Sequence, residues 1–414
     1  MMRRNSRAAR ARRQRRGAPG FTLVELMVAM VGGLFVSMAV FAIAKHSSSF
    51  AMRQSRVADA TLQNTVGFER LRADISRAGF LTTPNMVDDP ALCRGAVYPT
   101  WLRRMASIYI EPVPLPALSS EITLNGFTPQ RIVLTGNYAS GNQFAVREII
   151  EGPPVQVVLQ PNRLGMVEIG YPAAPVEATL SRVFVKGRAL RVVDKTGRIQ
   201  FGEIAGVTAG PNPAITLAVD PPLQFRSGSE VGCGIEGLGV GMVANVVNII
   251  RYDLRNLNVT TEPGYQPMFR GGPSYETTRR ELVREELDLD GNPFPDTMEL
   301  ISEYTVDLGF SLLVSQGTSG LLPISSANVS QYAGTPGTLA AGTGPQHIRA
   351  VRFWLSTRSQ EADRDGQLPY TAAVPGPTLL RMSMDPTNPA LPPFARVRTL
   401  QTTVPLNNQA TIAW

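Results

Sequence analysis

Few side chains in this 414-residue sequence have the types and spacing to do chemistry together. There are two cysteines, Cys93 and Cys233, and two histidines, His46 and His347. They form no CxxC pair and no metal-ligand spacing. The cysteines can close one disulfide if the body of the chain lies outside the cytoplasm, and sequence alone leaves that open against two buried thiols. Residues 288–292, DLDGN, look like the start of a calcium loop, and Glu299 stands twelfth from Asp288. Pro293 and Pro295 interrupt that loop, so a β-turn with exposed acids is the simpler reading of Asp288–Asn292. The similar stretch at 363–366, DRDG, is weaker still. Residues 234–241, GIEGLGVG, match neither a GxGxxG loop nor a P-loop with its lysine, and no GxSxG elbow is present. His347 precedes a strand-like segment with no evident nucleophile to serve. The residues predict no enzyme, no cofactor and no resident metal. The one acid in an unusual setting is Glu25, inside a long apolar run.

Charge explains the surroundings of that run. The chain carries 40 basic and 33 acidic residues. Eight of the basic ones are arginines within the first 16 residues, and no acid precedes Glu25. Without those eight, 32 basic residues face 33 acidic ones, so the basic balance belongs to a short leader. Global charge therefore gives no case for nucleic-acid binding. From Phe21 to Ala44 the chain runs 24 residues with Glu25 as its only charge. About 20 helical residues cross a bilayer core. Arginines before the run put the N-terminus in the cytoplasm and the remainder across the inner membrane. A secretory signal would have a shorter apolar part, although residues 42–44, AIA, supply a small-x-small cleavage site. Arg3 and Arg4 lack the hydrophobic pair that a twin-arginine signal needs. A plain anchor accounts for the length but not for Glu25, because a carboxylate in lipid is costly.

The stretch GFTLVELMVAM, residues 20–30, resembles the prepilin signal of type IV pilins and of type II secretion pseudopilins. The resemblance implies cleavage between Gly20 and Phe21, N-methylation of Phe21, and an assembly role for Glu25. Its physical logic is that a new ammonium at Phe21, desolvated in a filament, needs the carboxylate of Glu25 as partner, in its own chain or a neighbour's. Family members often carry a proline midway along the apolar helix; this run carries Gly32 and Gly33 instead. The stretch LRADISRAGF, 71–80, and the C-terminal segments 301–314, 348–359 and 396–409 resemble PilW-like minor pilins. That likeness implies a non-enzymatic minor pilin that primes assembly of the pilus and forms part of its tip. Implied partners are a prepilin peptidase, other minor and major pilins, the inner membrane and a PilY-type tip protein. A minor pseudopilin of type II secretion, or a membrane-anchored periplasmic enzyme or binding protein, are the alternatives.

These residues need elements to position them. The leader, 1–20, precedes one helix, 21–80, membrane-spanning over 21–44 and amphipathic over 45–80. Leu62, Val66, Leu71 and Ile75 fall near one face at helical spacing, and Gly79 is placed for a C-cap. Beyond residue 80, short apolar runs separated by Gly, Pro and Asn read as strands: 131–136, 155–160, 182–187, 191–193, 214–219, 306–314, 347–358 and 398–406. Residues 245–255 read as a further strand, and 275–288 as a hairpin or short helix. A flexible loop is expected at about 315–346 and a second at 359–395. The expected fold class is α+β: a long N-terminal helix packed on a mostly antiparallel, β-rich head, 81–414, with room for a second lobe in its middle.

Overall fold

The computed structural model describes residues 20–92, 102, 105–112, 122–123, 125–172, 176–220, 222–226, 234–257, 264–265, 279–316, 320–360, 381–384, 394–412 and 414. Cys93 and Cys233 lie outside the described residues, and so do residues 363–366. The fold class is α+β. The chain divides into two compact units, Met1–Asp59 and Ala60–Trp414.

The first unit is built on helix α1, which begins at Leu23 and has Leu23–Arg77 as its bounds. Its stretch Leu23–Ser48 has a mean hydropathy of 2.4 and is 0% buried within the protein, which makes it long and apolar enough to cross a membrane. The helix continues without a break through Gly32 and Gly33.

In the second unit, the last turns of α1 bury one clean stripe. Asn64, Gly67, Phe68, Leu71, Asp74, Ile75 and Ala78 are buried at spacings of three and four residues. Val66 is 64% exposed and stands off this stripe, contrary to the sequence expectation, because the stripe runs through Gly67 and Phe68 instead. Each fully buried side chain such as Leu71 or Ile75 is worth roughly 1.5–3 kcal/mol. Gly67 is required there: a Cβ would lie 2.5 Å from the Ile301 carbonyl oxygen. The helix stops at Gly79, which takes φ +76° and donates its N–H to the Thr135 carbonyl at 2.9 Å. Asn408 Nδ2 then donates to the otherwise unpartnered carbonyls of Ser76 and Ala78, at 3.3 and 3.1 Å.

Two antiparallel sheets receive that stripe. Strand β1 (Ile108–Pro112) pairs with β2 (Gln130–Gly136). The chain then leaves this sheet to build β3 (Phe144–Ile150), β4 (Gln156–Leu159), helices α2 (Leu164–Glu168) and α3 (Val176–Val183), β5 (Ala189–Val193), β6 (Ile199–Thr208), β7 (Ala214–Leu217) and the short parallel pair β8 (Phe225–Arg226) and β9 (Ile235–Glu236). It returns in β10 (Val243–Arg255), whose second half pairs with β2 and with β11 (Glu281–Leu287); β12 (Glu299–Ser302) follows at the edge. The first half of β10 pairs with both β3 and β5. The order β10-β3-β4-β7-β6-β5 thus closes on β10 as a six-stranded antiparallel barrel. Phe144, Val146, Leu159, Phe184, Leu190 and Ile204 are among the side chains that fill it. This is the second lobe, inserted between two neighbouring strands of the first.

The other sheet has the order β14-β13-β15-β17-β16, built from β13 (Thr305–Ser315), β14 (Leu321–Ile324), β15 (Ile348–Arg358), β16 (Arg381–Ser383) and β17 (Phe394–Pro405). Phe68 of α1 packs on Phe353 of β15 with ring centroids 4.7 Å apart. One core joins α1, β1, β2, β10, β11, β13 and β15.

Two expectations need correction, and a third is decided between its two readings. Residues 182–187, RVFVKG, do not form a strand: they are the end of α3 and the turn at Gly187 (φ +90°), with Val183 and Phe184 buried. The V-F-V alternation reads as strand, but it is the helix end that turns those residues inward. Residues 315–346 are not one structureless loop. They hold β14, 3₁₀ turns and α4 (Ser330–Ala333), which bury Val329, Tyr332 and Ala333 in the main core. Of the hairpin and short-helix readings of 275–288, the described part takes the strand one, as β11.

A buried acid ties the end of α1 to the barrel-bearing sheet. Asp74 is 2% exposed. Its Oδ2 accepts from Arg284 Nε at 2.7 Å and from the Tyr252 hydroxyl at 2.8 Å, while its backbone carbonyl accepts from the Tyr138 hydroxyl at 2.8 Å. Burial beside Asp74 pushes both tyrosine hydroxyls far above their ordinary range, so they remain donors. Replacing Asp74 by Ala takes the buried acid from Arg284 and leaves that guanidinium facing the half-exposed Glu299 at 3.6 Å. Asp74→Ala is expected to cost about 3–5 kcal/mol in chemical denaturation, and a loss below about 1 kcal/mol would show that the pair is not structural.

Candidate functional site

The start of α1 is built from a four-residue exchange of hydrogen bonds. Thr22 precedes the first helical residue and Glu25 stands three positions on. Glu25 Oε2 accepts from the Thr22 N–H and from the Thr22 hydroxyl, each at 3.0 Å; Thr22 Oγ1 accepts from the Glu25 N–H at 3.2 Å. This is a capping box, in which two donors at the open helix end are satisfied reciprocally. The T-x-x-E spacing before an apolar run carries that signal in the sequence, and it adds Thr22 to the residues expected there. The carboxylate is thereby turned back toward the chain's N-terminal side. Gly20 and Phe21 lie ahead of the box in irregular, exposed backbone; Phe21 is 82% exposed and nothing comes within 4 Å of a Cβ placed on Gly20. Gly20, Phe21, Thr22 and Glu25 therefore form one contiguous exposed site.

The other residues singled out from sequence do not join it. Asp288 Oδ1 accepts from the N–H groups of Asp290 and Asn292, at 3.0 and 2.8 Å, so its carboxylate closes its own turn. Glu299 lies 3.6 Å from both Arg70 and Arg284 rather than at that turn. Among the described residues, no group of three His, Cys, Asp or Glu side chains is placed to hold a metal ion. His347 sits in a 3₁₀ turn, and partial burial beside Arg349 lowers its pKa. A groove of about 330 Å³ opens where the chain enters the barrel, lined by Ser140, Asn142, Glu168, Thr179 and Arg182 among others. Ser140 Oγ accepts there from the Asn142 N–H at 3.2 Å.

Two buried acids in the head titrate far from their ordinary ranges. Glu281 is fully buried; its Oε1 lies 2.5 Å from Arg279 Nε and its Oε2 accepts from the Tyr304 N–H at 2.9 Å. Burial outweighs Arg279 and pushes Glu281 up to about 8. The guanidinium groups of Arg279 and Arg358 both lie over the Tyr304 ring, 4.4 and 5.0 Å from its centroid. Asp307, on β13, accepts from Trp354 Nε1 at 2.7 Å. The indole lies over Gly309, where a Cβ would come within 2.1 Å of the ring. Burial pushes Asp307 up to about 6 despite that hydrogen bond.

No protein-family model, curated protein or solved structure matches the chain.

The Asp307 geometry fixes the sign of a pH effect. Its folded pKa lies above the unfolded value, so the neutral acid stabilises the fold below pH ~4, and that contribution is lost as pH rises through about 6. At 1.36 kcal/mol per unit the loss is about 3 kcal/mol. Asp307→Asn keeps an acceptor for Trp354 and cannot ionise. Denaturant titrations across that range should show the variant gaining on the parent chain as pH rises; parallel profiles would exclude Asp307 as the cause.

Proposed function

We propose that this chain is a filament subunit of the type IV pilin kind, made with a basic leader and anchored in the inner membrane by α1 until it is assembled. The single observation that carries this reading is the start of α1. An exposed Gly20–Phe21 junction leads directly into the apolar stretch Leu23–Ser48, whose only acid, Glu25, is held facing that junction. In this reading a prepilin peptidase cuts between Gly20 and Phe21 on the cytoplasmic side, and Phe21 is then N-methylated. The released amine sits one residue from the Thr22 N–H that Glu25 already accepts, so its partner is preformed. Burying that amine in a filament without Glu25 would strand a charge. Glu25 therefore sets the axial register of neighbouring helices.

The likeness of the late segments favours a PilW-like minor pilin, working with major and other minor pilins and a PilY-type tip protein. The large head supports that finer reading. A two-lobed body with an inserted barrel is awkward at every position of a helical shaft and easily placed at its end.

Sequencing the mature N-terminus from cells tests the proposal. Methyl-phenylalanine at Phe21 is expected; material that keeps its arginine-rich leader, or begins at Lys45, refutes it. Glu25→Ala is expected to insert in the membrane at normal level yet fail to co-purify with sheared filaments. Recovery of that variant in filaments at parental yield would remove the register role.

A further inference from the structure

A β-sheet edge is a row of unpaired N–H and C=O groups, and folded proteins blunt such edges. Among the described residues the two larger sheets have four edges, at β1, β12, β14 and the β17–β16 side, and the first three are blunted. Helix α4 packs against strand β1. Strand β12 is four residues long and carries Glu299 facing Arg70 and Arg284. In β14, the Gln316 N–H to Gly320 carbonyl bond fixes the phase of the ladder, and with the register Val314↔Leu322 it turns Leu321 and Pro323 outward. Pro323 has no N–H to offer.

The fourth edge, β17, is different. Leu406 donates to the Arg349 carbonyl and Ser359 to the Arg396 carbonyl, each at 2.8 Å. With the register Arg352↔Thr403 and Thr357↔Arg398, even-numbered residues of β17 bond to β15 and odd-numbered ones point away. Strand β16 covers only Phe394–Arg396. The outward backbone groups of Val397, Thr399, Gln401 and Thr403 meet no strand among the described residues. Within it, Thr399–Thr403 has the features of a strand-addition site: uncharged, rich in threonine, and free of proline until Pro405. Two exposed arginines flank it, Arg398 on the strand itself and Arg352 on β15 opposite Thr403. Neither has an ion pair among the described residues.

We propose that the β17 edge receives an extended segment of another protein, which adds a sixth strand to this sheet. The segment is proline-free where it pairs with Val397–Thr403, and it carries acidic side chains opposite Arg398 and opposite Thr403, within reach of Arg352. Main-chain hydrogen bonds supply the attachment, and the two arginines set register and exclude a basic strand. The site does not depend on the N-terminal cleavage and would operate in a processed or an unprocessed chain.

The full-length chain in detergent micelles can be titrated with a fluorescent peptide of alternating threonine and valine that carries two glutamates at those positions. Binding is expected, at least about tenfold weaker when lysines replace the glutamates. Gln401→Pro removes an N–H that faces outward, so it should leave the circular dichroism and melting of the head unchanged while abolishing binding. If that variant does not fold, hydrogen exchange on the parent chain serves instead: the peptide should slow exchange at Thr399, Gln401 and Thr403. Absence of binding, equal binding of the lysine peptide, or undiminished binding to folded Gln401→Pro overturns the proposal. So does self-association of the chain through β17 that the proline removes, because the occupant would then be a second copy.

Discussion

One carboxylate organises the head. Asp74 lies within the otherwise apolar stripe of α1, and a charge there is tolerable only if it is fully partnered. Arg284 from β11 and Tyr252 from β10 meet it, and Tyr138 reaches the backbone carbonyl of the same residue. Those partners come from different parts of the unit and agree on one helix rotation and one axial position. Apolar packing of Phe68, Leu71 and Ile75 would permit small slips of the helix; the Asp74 constellation does not. Such an arrangement adds little net stability over a greasy contact of the same shape. What it adds is a unique docking geometry, from which the close approach of Gly67 to Ile301 follows.

The same economy of polar contacts governs the junction of the two lobes. Asn248 Oδ1 accepts from the N–H groups of Tyr138 and Ala139 at 3.0 Å each, while its Nδ2 donates to Glu286 at 2.6 Å. Arg188, just before β5, grips Glu286 with two bonds of 2.7 Å. The barrel therefore meets its host sheet through β10, through a charged, hydrogen-bonded seam, and through an apolar cluster that includes Phe201, Val247 and Leu289.

How much of this is legible in the sequence depends on how local each cause is. The start of α1 is written in six adjacent residues, and its stop in Gly79, because caps are local chemistry. Strands β13, β15 and β17 declare themselves by alternation. The barrel does not. Strand β3 places Arg147 and Glu148 in mid-strand, and closure depends on Val243 pairing with both Ala145 and Val193. Those pairings no short window contains. Asp74 is invisible as a buried residue for the same reason: Tyr252 and Arg284 are 178 and 210 positions away. Within 315–346 the small and polar residues hide four that enter the core, since Ile324, Val329, Tyr332 and Ala333 are too few to set a period.

Sharing β10 between barrel and sheet has a mechanical consequence. The chain enters the barrel from β2 and leaves it along β10, so no hinge of free backbone separates the lobes on the outgoing side. A pull on the barrel directed along β10 loads the ladders to β2 and β11 lengthwise, and many hydrogen bonds resist at once. A pull across β10 would instead open those ladders one rung at a time. The inserted lobe is thus a stiff outrigger with a direction of strength, set by the axis of a single thirteen-residue strand.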